Sequence, residues 1–395
     1  MARVKAAKAG VLLLAMLILA GCWDRREIND VAFVVASALD WEDGQYRTTV
    51  QLPLPGQMGG VGSEGGGGGT SGNKAWYVES AKKDSIRLAN LVNQTRLSRE
   101  LYFSHQRVIL FGEEMLRHGI SSVLDLYARV PQHRLNVKIV ATRGPAHRVL
   151  TINTPLEKTP AEMVREMVIH TMKNPPDLLT VANKLLTDGV DVVLPAYRVA
   201  TFKNDNGKNM EAVELFGLAV FKDDKLAGFI QRDEITELLW LINAANNPPI
   251  SVKLGDEKDG MVTIIFNQTS TRIRPIVNGD EIKMEVSVKG KGSVLEDDTR
   301  FDLVEDGRIE ELKQRASEEL KTRIERLLEK LQHEYQSDPV GFGLILYREK
   351  PRVWHRLENW SEVYPRVQMD VKVNLHIENT GPILHPFGIK ENRQQ

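Results

Sequence analysis

A single cysteine, Cys22, stands among 395 residues, and that scarcity excludes both an internal disulfide and a cysteine zinc cluster. Charge of neither sign is in excess. Fifty-two Lys and Arg face 53 Asp and Glu, a net charge of −1, so the bulk electrostatic footprint of a nucleic-acid binder is missing. The nine histidines show neither H-x-x-x-H nor H-E-x-x-H spacing, which removes the helical zinc-hydrolase pattern. Long apolar runs are absent as well: the stretch Gly10–Ala20 is far shorter than the ~20 residues of a spanning helix, and no later window approaches ~18. What remains is ordinary globular material, 42% hydrophobic and 27% charged, at a length suited to two or three cores.

The amino-terminal segment carries the sharpest signal. Arg3, Lys5 and Lys8 form a positive n-region, Gly10–Ala20 an apolar h-region, and Leu19-Ala20-Gly21-Cys22 closes it. Small residues at Ala20 and Gly21 let the chain lie extended in a peptidase groove, and Cys22 then presents a thiol for lipid transfer. This is the pattern of a bacterial lipobox. It predicts a signal peptide over 1–21 and a mature chain that starts at a lipidated Cys22, outside the cytoplasm. At ~0.8 kcal/mol per buried CH₂ one acyl chain holds marginally, whereas the two chains of a diacylglyceryl group hold stably. Trp23, Asp24, Arg25, Arg26 and Glu27 follow, with Asp30 nearby. That charged stretch either keeps the membrane-proximal chain solvated or docks a partner subunit or lipid headgroups.

Downstream, the pattern predicts a mixed α/β domain over 22–150. Val31–Leu39 is expected as a buried strand, turned at Glu42-Asp43-Gly44 into an alternating strand through Tyr46, Thr48, Val50 and Leu52. Residues 53–72, with five consecutive glycines at Gly65–Gly69, read as a disordered insertion that cannot bury enough surface to offset backbone entropy. Gly60-Val61-Gly62-Ser63-Glu64-Gly65 matches a dinucleotide fingerprint, but neither the strand nor the helix that such a loop needs flanks it. Next come a strand at Trp76–Glu79, a helix over 80–97 facing inward through Leu88, Leu91 and Val92, a strand at Arg107–Phe111, a helix from Glu113 stopped by Gly119, and a strand through Val137, Ile139 and Ala141.

A small middle domain is expected over 151–205. Thr159-Pro160-Ala161-Glu162 reads as a capping box, Asp177 opens a second helix burying Leu178, Leu179, Ala182, Leu185 and Leu186, and Asn204-Asp205-Asn206-Gly207 marks a boundary. A carboxy-terminal α+β domain is expected over 210–385, followed by a tail at 386–395. Its signals are a hairpin across Lys222–Lys225, a helix from Asp233, and strands at Met261–Phe266, Thr271–Val277 and Glu281–Val288, the last two joined at Asn278-Gly279. A long helix over 307–336 shows Ile309, Leu312, Ala316, Leu320, Ile324, Leu327 and Leu331 on one face, which covers the sheet of its own domain. Gly341-Phe342-Gly343 reads as a loop, with helix from Leu344 broken at Pro351. Strict alternation from Val367 to Ile377 predicts an antiparallel strand, buried on one face. The fold class is thus α+β or mixed α/β, in about three domains, each a mostly antiparallel or mixed sheet flanked by helices.

Cys22-Trp23-Asp24-Arg25-Arg26-Glu27-Ile28, the glycine insertion before Trp76, His105-Gln106-Arg107-Val108-Ile109, Gly217-Leu218-Ala219-Val220-Phe221, Gly341-Phe342-Gly343 and Val371-Lys372-Val373-Asn374-Leu375-His376-Ile377 together resemble the Ger(x)C family of spore-germination lipoproteins. The resemblance runs from the lipobox to about Pro382; the middle unit matches mainly in hydrophobic pattern. It implies the C subunit of a nutrient-germinant receptor, tethered to the outer face of the cell or spore inner membrane beside two integral-membrane subunits. It also implies a component of assembly or signalling rather than a catalyst, without metal or cofactor. The residues by themselves leave two other readings open, a solute-binding lipoprotein with a cleft between domains and an anchored cell-wall hydrolase with a carboxylate pair. His105 beside Arg107 is the best single catalytic candidate, but no acid or nucleophile of recognisable spacing accompanies it.

Overall fold

The apolar run Val31–Leu39 divides in two in the computed structural model, which describes residues 27–54, 74–253, 260–299 and 307–378. β1 (Val31–Phe33) pairs in parallel with Glu100–Tyr102, while β2 (Ala36–Glu42) joins a larger sheet. Asp43 and Gly44, at φ 52° and 77°, turn the chain into β3 (Gln45–Pro53), as the Asp-Gly pair predicts. β4 (Trp76–Lys83) runs further than expected, so α1 (Ile86–Thr95) begins late, with Ser85 Oγ accepting from Leu88 N at 3.2 Å. The helix presents a different face as a result. Ile86, Ala89 and Asn93 are buried, whereas Leu88 and Leu91, expected inside, face solvent.

β5 (Glu100–Tyr102), β6 (Val108–Phe111), α2 (Glu113–His118), α3 (Ser121–Arg129) and β7 (Lys138–Thr142) follow, and α2 ends at Gly119. α4 (Pro160–Thr171) is capped by Thr159 Oγ1, which accepts from Glu162 N at 3.2 Å. The Glu162 carboxylate bonds Arg165 instead of reaching back, so the expected capping box closes on one side only. α5 (Leu178–Leu185) buries Leu178 and Val181; Leu179 and Leu186, expected inside, are exposed. β8 (Val193–Lys203) and β9 (Asn209–Lys222) then make one long hairpin through the Asn204–Gly207 turn, and β10 (Lys225–Gln231) folds back on β9.

These strands form an eight-stranded sheet in the order β10-β9-β8-β7-β6-β2-β3-β4. β2, β6, β7 and β8 are mutually parallel; the other neighbours are antiparallel. Strands from both sides of 150/151 and of 205/210 therefore lie in one sheet. The segment 151–205 contributes β8 to that sheet and has no sheet of its own, because residues 193–203 find their hydrogen-bonding edges on β7 and β9.

α6 (Arg232–Leu241) leads to a four-stranded sheet in the order β11-β12-β13-β14, with β11 (Pro249–Lys253), β12 (Met261–Asn278) and β13 (Glu281–Asp297). β12 is one strand where two were expected, carrying a register shift between Phe266 and Gln268. α7 (Arg308–Glu329) buries Leu312, Ala316, Leu320, Ile324, Leu327 and Leu328 and covers this sheet. α8 (Phe342–Glu349) begins at the Gly-Phe-Gly segment expected as a loop, with Gly341 at φ 83° just ahead. α9 (Pro351–Trp354) and α10 (Trp360–Val363) are short, and Pro351 marks the expected break.

β14 (Gln368–Ile377) lies parallel to β13, not antiparallel. The helices from α7 to α10 form a long crossover between the two strands, and this crossover returns the chain in the same direction. The strict alternation has another source: one face of this edge strand packs on α7, burying Val371, Leu375 and Ile377, while Lys372, Asn374 and His376 face solvent. The architecture is α+β, with several sheets flanked by helices. Val193, Leu218, Val220 and Ile230 of the large sheet share one buried cluster with Leu312, Leu320 and Phe342, so a continuous core joins the two sheet systems.

A polar cleft at the junction of the two sheets

At the junction, Gly189 and Gly343 meet backbone to backbone. A Cβ on Gly343 would stand 2.6 Å from Gly189 Cα, and Gly189 itself sits at φ 76°. Leu344 N donates to Gly189 O at 2.8 Å, so the turn after α5 and the start of α8 are hydrogen-bonded directly. Only glycine permits this approach from either side.

Beside the contact lies a buried carboxylate. Asp338, 2% exposed, accepts from Gly341 N (2.8 Å), Phe342 N (3.0 Å), Gly343 N (2.9 Å) and Trp360 Nε1 (3.0 Å). Three of these donors are first-turn amides of α8 with no partner inside the helix; Gly341 at the cap position has no side chain to offer. Across the junction Asp338 N donates to Asp191 Oδ2 at 2.6 Å, and Asp191 N donates to Asp338 O at 2.8 Å. Lys184 Nζ reaches Asp191 O at 3.4 Å. Burial raises the Asp338 carboxyl from 3.8 to about 6 despite the opposing amide donors, and Asp191 is raised for the same reason. Burial lowers Lys184, against the pull of Asp338 and Asp191.

A cleft of about 470 Å³ opens over this network, and its lining draws on both sheet systems, from Lys184–Asp191 on one side to Trp354–Tyr364 on the other. One wall is aromatic. Trp354 and Trp360 have ring centroids 5.8 Å apart, and Trp360 and Tyr364 are also 5.8 Å apart. The Tyr364 hydroxyl is buried and has no hydrogen-bond partner among the described residues.

Of the candidates named from sequence, those that are described do not line this cleft. Cys22 and Trp23–Arg26 are outside the described residues, as are the G-x-G-x-x-G match and the tail; Glu27 is exposed, just ahead of a short 3₁₀ turn at Ile28–Asp30. His105 is exposed and packs edge-on against Phe33 at 4.7 Å. Among the described residues, one three-residue group has metal-ligand character: oxygen or nitrogen atoms of Asp40, Glu42 and His147 lie within 4.8 Å of one another. Each is already engaged structurally. Asp40 accepts from Ala146 N (2.6 Å) and His147 N (3.0 Å), holding the turn that begins there, and Glu42 pairs with Arg47 at 3.0 Å. Asp191 and Asp338 escaped sequence reasoning because 147 residues separate them, although Gly341-Phe342-Gly343 marked the place.

Comparison with known proteins finds two family models along the chain. A model described as "Spore germination protein N-terminal domain" matches residues 24–199, and one described as "Spore germination B3/ GerAC like, C-terminal" matches residues 216–381. YfkR of Bacillus subtilis (strain 168) is 35% identical over 370 residues, covering 93% of this chain and 95% of its own. The chain belongs to the Ger(x)C family of spore germination proteins. Spore germination protein KC from the same organism is 27% identical over 403 residues, covering 96% and 98% of the two chains. The crystal structure of the GerBC protein superposes with a TM-score of 0.58 at 21% identity, over 87% of this chain and 97% of that one, and so shares the fold. The two family segments meet between 199 and 216, inside the β8–β9 hairpin. The Ger(x)C chain thus divides in sequence where its large sheet is continuous.

Proposed function

We propose that this Ger(x)C protein is the lipid-anchored C subunit of a spore nutrient-germinant receptor, acting in assembly or signalling through protein contacts with two integral-membrane subunits. The observation that carries the reading is the family match from residue 24 to residue 381, which begins two residues after the lipobox cysteine. No described helix is long and apolar enough to cross a membrane, so the proposed attachment is the acyl group on Cys22, at the outer face of the inner membrane. The nine residues from Cys22 to Asp30 span at most about 30 Å, which confines the folded part to the membrane surface and raises its concentration for embedded partners.

Cys22→Ala is expected to move the protein from the membrane to the soluble fraction of spore lysates and to slow nutrient-triggered germination. Normal germination with the variant still membrane-bound would overturn the tether. Affinity capture from detergent-solubilised spore membranes tests the partners: two integral-membrane proteins should co-purify, and recovery of the chain alone would reject the assembly.

A further inference from the structure

We infer that the outward face of α1, with the hollow between α1 and α3, is the surface that rests on the lipid bilayer, placing Leu88 and Leu91 at the boundary of headgroups and acyl chains. The inference rests on the tether at Cys22 proposed above. Composition of the helix is the first reason. α1 contains no acidic residue, and it turns Arg87, Leu88, Leu91 and Thr95 outward, with Leu88 49% and Leu91 58% exposed. These positions are three and four apart and so share one side of the helix. α7 shows the contrast, since every apolar residue on it is at least half-buried and its exposed residues are all polar or charged. An outward face of leucines and an arginine, free of carboxylates, suits an apolar layer beneath phosphate headgroups.

The second reason is the ground beside the helix. Leu91 lines a hollow of about 290 Å³ together with Phe103, Leu126 and Val130, which are half-buried and so still present apolar surface. The apolar face therefore continues from α1 into a depression that a lipid methylene chain can enter. Position is the third. Gln94 ties α1 to β5, accepting from Leu101 N at 2.7 Å and donating to Arg99 O at 3.0 Å. β5 in turn holds β1, with Val31 opposite Glu100, and Glu100 and Leu101 line the same hollow. The chain thus passes the edge of the hollow at Val31, and the nine residues Cys22–Asp30 before it reach at most about 30 Å. Ile28, 75% exposed, lies on that path. Two acyl chains on Cys22 would keep the bilayer within reach of this face at all times, and this proximity singles out lipid as its occupant.

Fluorescence from the full lipidated chain, bound to vesicles of phosphatidylcholine and phosphatidylglycerol, tests the orientation. Cys22 is the only cysteine and is the proposed lipid site, so one introduced thiol carries the label. An NBD probe at Leu91→Cys should be quenched by nitroxide-bearing lipid about threefold more than the same probe at Leu295→Cys, a position 64% exposed on β13 of the other sheet system. Adding Leu88→Asp to the Leu91→Cys protein should lower that quenching about twofold. The vesicle-bound fraction and the melting temperature should stay unchanged, because the tether is intact and Leu88 is exposed. Equal quenching at Leu91→Cys and Leu295→Cys, or quenching indifferent to Leu88→Asp, would overturn the face assignment and leave the tether standing. A lipidated chain that fails to float with the vesicles would reject the tether, and this inference with it.

Discussion

Asp338 concentrates the physical conflict of this molecule in one side chain. Four hydrogen-bond donors favour its ionised form, while burial and the neighbouring Asp191 oppose it, and burial prevails. Its folded pKa of about 6 lies above the unfolded value near 3.8, so the folded state holds the proton more tightly. The group therefore favours folding at low pH, and this contribution falls as pH rises from about 4 to about 6, then stays flat. A shift of this size corresponds to about 3 kcal/mol. Asp338→Asn removes the titration, so its destabilisation should be smaller at pH 7 than at pH 4.5. Urea unfolding of both proteins at the two pH values measures the difference; an equal cost at both would show that Asp338 does not titrate in that window. The titration was not visible in sequence, where Asp338 is one of 53 acidic residues; Gly341-Phe342-Gly343 marked the place but not the burial of the carboxylate.

Elements were more legible than single residues. The α7 stripe was predicted as a sheet-covering face, and every residue named in it is buried except Ile309, which is half-buried at the first turn. Leu320→Ala, at the centre of that face, should cost about 2–5 kcal/mol by loss of transfer energy and creation of a cavity, read as a lower urea midpoint at unchanged m-value. A cost under 1 kcal/mol would mean that the helix repacks freely over the sheet. Elements whose start depends on a neighbour were less legible. α1 waits for β4 to finish at Lys83, and this delay exchanges the buried face for the one carrying Leu88 and Leu91. β14 shows the other limit. Period-two alternation reports that one face is covered, but both parallel and antiparallel edge strands satisfy it.

At the scale of the molecule, two sheet systems are joined by a shared apolar core and by the Gly189–Gly343 contact. Gly343→Ala would place a methyl 2.6 Å from both Gly189 Cα and Trp360 Nε1, neither of which yields without disturbing the Asp338 network. A cost of about 1–3 kcal/mol is expected, with faster hydrogen exchange of the α8 amides as the local signature. Unchanged protection there would show that the junction tolerates separation. The sequence alone determined what is local along the chain: helices and strands read from short periods, hairpin turns from Asp-Gly and Asn-Gly pairs, and a family resemblance carried by short motifs in order. Tertiary structure alone decided which strands share a sheet, the direction of β14, and the meeting of Lys184, Asp191, Asp338 and Tyr364 around one cleft. The physical reason is that periodicity records whether a side chain is covered, whereas hydrogen-bonding edges and buried charges are satisfied by groups far along the chain, 55 residues between Ala141 and Ala196 and 147 between Asp191 and Asp338.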